Sequence, residues 1–163
     1  MIKIGCVINS MIEYYFGDIK RINHFLKVYG YAKAIGEMEN LPEELQEILE
    51  IAAVVHDIGI KNSEEKYNSS AGNYQQIEGP PVAENLLSTL GYDRVLIDRV
   101  CYLIGHHHTY HNIDGLDYQI LIEADFLVNL YEDNISKEGI VQAKENIFKT
   151  KTGHLFLLEC FIA

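Results

Sequence analysis

The residues of this chain best suited to chemistry are His56 and Asp57. They stand side by side in the run Ala52-Ala53-Val54-Val55-His56-Asp57-Ile58-Gly59-Ile60. Burying a polar or charged group costs several kcal/mol unless it is paired or bound to a metal. An imidazole and a carboxylate in such an apolar run therefore need partners. Acids and imidazoles also stand in apolar surroundings at His24, Glu78, His106 to His108, and Asp125. Each alone has an ordinary reading: a helix-face histidine, a helix-start acid, an internal cap, or a solvated helix end where imidazolium suits the negative dipole. Together they suggest a shared target. Facing helices of a bundle can aim side chains at one point of the core. Imidazole and carboxylate donors suit a first-row divalent metal: Mn, Fe, Co, Ni or Zn.

The elements that must position these groups read as helices. Apolar residues at 4, 7, 8, 11, 12, 15 and 16 predict a first helix over about residues 2–16. Gly17-Asp18 is a stop followed by an N-cap, and a second helix over about 19–38 carries His24. Asn40-Leu41-Pro42-Glu43-Glu44 starts a third, expected from about Pro42 to Ile58 with Gly59 at its end. Residues 61 to 76 are polar and aperiodic and predict a long loop at the rim of a site. Glu78-Gly79-Pro80-Pro81 is expected to open a helix that stops at Gly91. Further helices are expected from Asp93 to Ile104, near Asp117 to Tyr131, around Lys137 to Phe148 and around Gly153 to Ile162. The reading is all-α, seven or eight helices, with no strand alternation, no internal repeat and one domain over residues 1–163.

Bulk composition narrows the function classes. A chain of 163 residues with 48% hydrophobic and 23% charged residues can build a real core. Its net charge of -11 argues against a nucleic-acid polymer as the partner, since phosphate backbones attract clustered Lys and Arg. A small anionic substrate stays open, because a metal inverts the local field. Cys6, Cys101 and Cys160 lie far apart and suit a reducing compartment better than a disulfide framework. The charge-free stretch Ile4 to Ile12 is too short to span a membrane and reads as a helix of the fold. A cytoplasmic protein without a membrane partner is expected. The eleven tyrosines leave a homo-oligomer open.

Arg21-Ile-Asn-His24, then His56-Asp57-Ile-Gly, then Glu123-Ala-Asp125 resembles the ordered pattern H…HD…D of the HD superfamily of metal-dependent phosphohydrolases. The resemblance covers residues from about 18 to 130. It implies an all-α helical bundle with a divalent metal held by His24, His56, Asp57 and Asp125. Some members hold a second metal through extra histidines, and His106-His107 looks like their HH element. Near the expected position of the first extra histidine this chain has Gln75, Gln76 and Glu78. Glu78, His106 and His107 are thus the candidate second-metal set. The His106 to His108 run is followed by Thr109-Tyr110-His111, not by the glycine-tyrosine-proline signature of cyclic-di-GMP phosphodiesterases.

The expected chemistry is hydrolysis of a small phosphorylated metabolite or nucleotide by metal-activated water. Asp57, Glu78, His106 and Lys61 are the expected catalytic groups, with Glu78 and His106 or His107 as proton carriers. Lys61, just past the doublet, and Arg21, one turn before His24, are expected at the substrate phosphate. The alternatives are a di-iron oxygenase, another non-phosphoryl enzyme of the same fold, or a non-catalytic module that keeps the metal as a fold element.

Overall fold

The computed structural model describes residues 1–162. Nine α-helices follow one another: α1 (Ile4–Tyr14), α2 (Ile19–Met38), α3 (Glu43–Val55), α4 (Ile60–Tyr67), α5 (Gly72–Leu90), α6 (Arg94–Ile104), α7 (Leu116–Glu132), α8 (Lys137–Asn146) and α9 (Lys151–Leu157). A π-helical turn, Leu158–Ile162, closes the described chain, and no strand occurs among the described residues. The all-α class expected from sequence holds.

Local chemistry sets most of the starts. Asp18 caps α2 by accepting from the Arg21 N–H at 3.2 Å, and Asp93 caps α6 by accepting from Leu96 N–H at 3.0 Å. Ser136 and Thr150 do the same for α8 and α9. Glu43 and Glu44 place negative charge at the positive end of α3.

Two helices carry the centre of the core. In α3 every residue from Ile51 to Val55 is buried, and in α7 every residue from Asp117 to Asp125. Such helices are apolar nearly all round because others pack on several sides. α2 lies against both, α3 also contacts α6 and α7, and α5 packs on α6. His24 thus comes from α2, the His56-Asp57 pair from the end of α3, and Asp125 from α7, all facing one region.

Three expectations needed correction. Residues 61 to 76 are not a long loop. Residues 60–67 form α4, and α5 begins at Gly72. Only Ile60 and Ser63 of α4 are buried, so one narrow inner face leaves no apolar period to read. The buried Ser63 hydroxyl is satisfied locally, donating to Gly59 O at 2.8 Å one turn back. Pro80 and Pro81 do not open a helix but lie inside α5. Interior proline costs roughly 3 kcal/mol. Tertiary packing of the Gly72–Gly79 half against the His56–Gly59 turn offsets that cost. Finally α3 stops at Val55, and residues 56–59 form turns closed by Ile58 N→Val55 O (3.0 Å) and Ile60 N→Asp57 O (3.1 Å).

Gly59 shows why that turn is fixed. Its φ is -77°, which any residue can adopt. A Cβ there, however, would sit 2.6 Å from Gly79 N and 2.7 Å from Gln75 O. The turn bearing the doublet is pressed backbone to backbone against α5.

Candidate metal centre

Two imidazoles and two carboxylates converge from three places in the chain. His24 Nε2 lies 3.1 Å from His56 Nε2, 3.2 Å from Asp57 Oδ2 and 3.2 Å from Asp125 Oδ1. His56 Nε2 lies 3.3 Å from Asp57 Oδ2 and 3.4 Å from Asp125 Oδ1. His24, His56 and Asp125 are buried, and Asp57 is half-buried at the floor of a cavity.

The hydrogen bonds behind the rings decide what the cluster can hold. His56 Nδ1 donates to Ala53 O at 2.7 Å, and His107 Nδ1 to Ile104 O at 2.7 Å. His24 Nδ1 donates to the Glu132 carboxylate, 3.3 Å from both oxygens. A carbonyl or carboxylate can only accept, so each Nδ1 carries the proton. In the neutral rings every Nε2 then turns a lone pair inward. Lone pairs of His24 and His56 face each other beside two carboxylates, an arrangement that requires positive charge at its centre. His107 Nε2 makes the same point. It is buried without a hydrogen-bond partner and stands 3.5 Å from Asp57 Oδ1, too far for a bond. A divalent ion with ligand distances of about 2.0–2.2 Å holds neighbouring donors about 3.0–3.5 Å apart. The separations here fit that requirement, so His24, His56, Asp57 and Asp125 suit a divalent metal.

Protonation tells the same story for the chain without an ion. Burial pushes the His24 imidazole down, but hydrogen bonds to Asp125 and Asp57 outweigh it and hold it at about 9. His56 is likewise held well above its usual range, burial being overcome by the Asp57 charge and by Asp125. Burial pushes Asp57 up, yet the His56 charge and the imidazoles of His107, His24 and His56 around it bring it well below the usual range. Asp125 is lowered in the same way, burial being outweighed by His24 and His56. Protons take the place of the missing charge, and a metal would displace them.

A second cluster adjoins the first. Asp57, His107 and His108 each offer a donor atom within 4.8 Å of one another. The Gln75 amide is oriented by its own donation to Ser70 O at 2.6 Å, so its Oε1 accepts from His108 Nε2 at 3.0 Å. Burial above all lowers His108 from 6.5 to about 4, so it is neutral near pH 7. Asp57 links the clusters, with Oδ2 toward His24 and His56 and Oδ1 toward His107.

The remaining sequence candidates divide clearly. Arg21 lines the cavity, where its guanidinium also pairs with Asp18 and Glu64. Glu78, His106 and Lys61 do not line it. Glu78 is held by Lys66 at 2.7 Å and Tyr67 at 2.9 Å. The His106 ring turns outward onto Tyr102, stacked at 4.2 Å, with Nδ1 donating to Tyr102 O. Lys61 Nζ sits 5.1 Å over the Tyr14 ring. Past the end of α6 the three successive histidines fan out, which sends 107 and 108 inward and 106 away. The inward pair is therefore His107-His108 and not His106-His107.

Several contributors were not singled out from sequence. Tyr15 OH donates to Asp57 O at 2.6 Å and pins the doublet from α1. Asn129 Nδ2 donates to Asp125 Oδ1 at 3.0 Å. Lys20, Asn129, Glu132 and Asp133 line the mouth of the cavity, whose volume is about 480 Å³. Helical spacing carried a signal for two of them, since Asn129 and Glu132 follow Asp125 at i+4 and i+7.

Comparison with known proteins agrees with this geometry. A family model described as HD domain matches residues 21–144. Among solved structures, a predicted HD superfamily hydrolase from an uncultured Thermotogales bacterium superposes with a TM-score of 0.67 at 25% identity. The alignment covers 94% of this chain and 82% of that one. No curated protein matches. No described helix is long and apolar enough to cross a membrane. With the family model spanning most of its length, including all four metal-ligand candidates, the chain belongs to the HD domain family.

Proposed function

We propose that the chain is a metal-dependent phosphohydrolase acting on a small phosphorylated metabolite or nucleotide. The observation that carries this reading is the set of inward lone pairs of His24 and His56, flanked by Asp57 and Asp125, at the floor of a cavity with Lys20 and Arg21 at its mouth. A divalent ion bound there supplies Lewis acidity and lowers the pKa of coordinated water to roughly 7.

The chain's own residues supply the rest. Arg21 presents a fixed guanidinium to phosphate oxygens, preset by Asp18, and Lys20 adds a second cation. His107 Nε2 has a free lone pair next to Asp57 Oδ1 and can take or return a proton at that atom. Ser70, Gln75 and Asn129 offer polar groups to the remainder of the substrate. A cavity of about 480 Å³ suits a monomeric substrate in preference to a polymer.

The test pairs metal analysis with a panel of phosphomonoesters and nucleotides. The wild-type chain is expected to bind a divalent metal and to turn over at least one member. Asp57→Ala is expected to lose both. Full activity of that variant in a metal-free preparation sinks the reading.

A further inference from the structure

His24, His56 and His107 solve the same problem in two ways. His56 is the C-cap of α3, and His107 follows the end of α6. Carbonyls in the last turn of a helix have no intrahelical partner. His56 Nδ1 takes such a carbonyl at Ala53, and His107 Nδ1 takes one at Ile104. His24 lies within α2, where the backbone carbonyls around it serve the helix ladder. Its orienting acceptor has to come from another element. Glu132, the last residue of α7, provides it, with both carboxylate oxygens 3.3 Å from His24 Nδ1.

We infer that Glu132 is the positioning residue of the centre: it holds the proton of His24 on Nδ1 and so keeps the Nε2 lone pair on the metal position. The inference rests on the metal-binding reading above. Glu132 shares α7 with Asp125 and Asn129, at i, i+4 and i+7, so one helix face supplies a ligand, the group that orients that ligand, and the group that orients the ligand opposite. Its other contact is Lys27 Nζ at 3.1 Å, on a side chain that is half exposed. That ion pair competes with the imidazole for Oε1 and is not what fixes the ring. An imidazole bonded to a carboxylate is also a more basic donor than one bonded to water.

The measurement is the dissociation constant for Co²⁺, taken by competition with a chelator. It is run on the wild type, Glu132→Ala, Glu132→Gln and Lys27→Ala, with thermal unfolding of each metal-free protein alongside. Glu132→Ala is expected to weaken Co²⁺ binding by about 10- to 100-fold, the usual effect of removing such a partner. Glu132→Gln keeps an acceptor oxygen without the charge and should lose less. Lys27→Ala should leave the constant unchanged. A Glu132→Ala constant within twofold of wild type overturns the inference, as does a Lys27→Ala loss equal to that of Glu132→Ala. Unchanged Co²⁺ binding with a raised KM also overturns it, by making Glu132 a substrate contact. Should Glu132→Ala fail to fold, Glu132→Gln carries the test. A wild-type chain that takes up no Co²⁺ while His24→Ala behaves identically defeats the metal reading itself, whereas a wild type that binds and a Glu132→Ala variant that binds equally well defeats only the positioning role.

Discussion

Glu123 is the most informative residue to remove, because it belongs to the recognisable Glu123-Ala-Asp125 stretch and yet serves no part of the centre. It is fully buried. Its Oε1 accepts from the backbone N–H of Lys149 at 2.5 Å, from that of Thr150 at 2.8 Å and from Gln119 Nε2 at 3.0 Å. Its Oε2 accepts from the Thr150 hydroxyl at 2.6 Å. The carboxylate thereby fastens the start of α9 to the core helix. Gly153 has to be glycine for the same reason, since a Cβ there would lie 2.2 Å from Glu123 Oε2.

Glu123→Ala removes the acceptor of the Lys149 and Thr150 backbone N–H groups and of the Thr150 hydroxyl, while Gln119 Nε2 keeps Ile147 O at 2.8 Å. Each unsatisfied buried donor costs about 1–3 kcal/mol, and the terms are not additive. A total of about 3–5 kcal/mol follows for the set. For a chain of this size that is a fall in Tm of about 6 to 20 °C. Glu123→Gln should cost far less. Its oxygen can stay at the Oε1 position, and the Thr150 hydroxyl can rotate to accept from the new amide. The assay is thermal and urea unfolding of both variants, together with Co²⁺ affinity of the folded fraction. The reasoning predicts a large stability loss with a Co²⁺ constant within about twofold of wild type, as expected for groups that share no partner. A Glu123→Ala loss below about 1 kcal/mol, the worth of a single ordinary hydrogen bond, refutes it.

Two further outcomes follow from the same structure. Gly59→Ala puts a methyl against the backbone of α5, which cannot swing aside as a side chain can; it should cost about 1–3 kcal/mol and weaken metal binding by displacing His56-Asp57, and unchanged values for both count against the close approach. The metal-free and metal-loaded proteins should respond oppositely to alkali. Without metal, the depressed Asp57 and Asp125 stabilise above the usual 3.8 and lose that contribution as pH falls, while His24, raised from 6.5 to about 9, stabilises below 6.5 and loses its contribution as pH rises through about 9, and His56, raised well above 6.5, likewise loses its contribution as pH rises. Metal binding requires those rings unprotonated, so the rise in Tm on adding metal should be larger at pH 8.5 than at pH 5.5; equal increments at both pH values contradict the ligand assignment.

What was legible in the sequence follows the physics of each element. α2, α3, α6 and α7 bury broad faces, so their apolar spacing could be read, and the ligand candidates rode on them. α4 buries only Ile60 and Ser63, and a helix with so narrow an inner face writes no period into its sequence. The Pro80-Pro81 pair misled because its local preference is a first turn, whereas the Gly59–Gly79 approach holds the preceding residues helical. In the His106 to His108 run, the fanning of the turn after α6 decides which rings face inward, and residue type is silent on that. Glu78 looked like a ligand or proton carrier because it falls near the expected place of the first extra histidine, but its neighbour across the α4–α5 connection, Lys66, was hidden in a segment read as loop.

Glu123 and Asp125 give the sharpest case. Two residues apart at about 100° per residue, they stand about 200° apart around α7. Both are buried acids in one apolar run, and nothing in their types separates them. Their surroundings do. Asp125 meets two imidazoles and the Asn129 amide at the cavity floor, where a cation is required. Glu123 meets backbone N–H groups and a hydroxyl, which satisfy a carboxylate without any cation. The same side-chain chemistry therefore suits a metal on one face of a helix and serves as a structural anchor on the other. Which role each takes is fixed by whether its partners can supply enough donors. Around Asp125 and Asp57 they cannot, because His24, His56 and His107 have each already given the Nδ1 proton to a carbonyl or to Glu132.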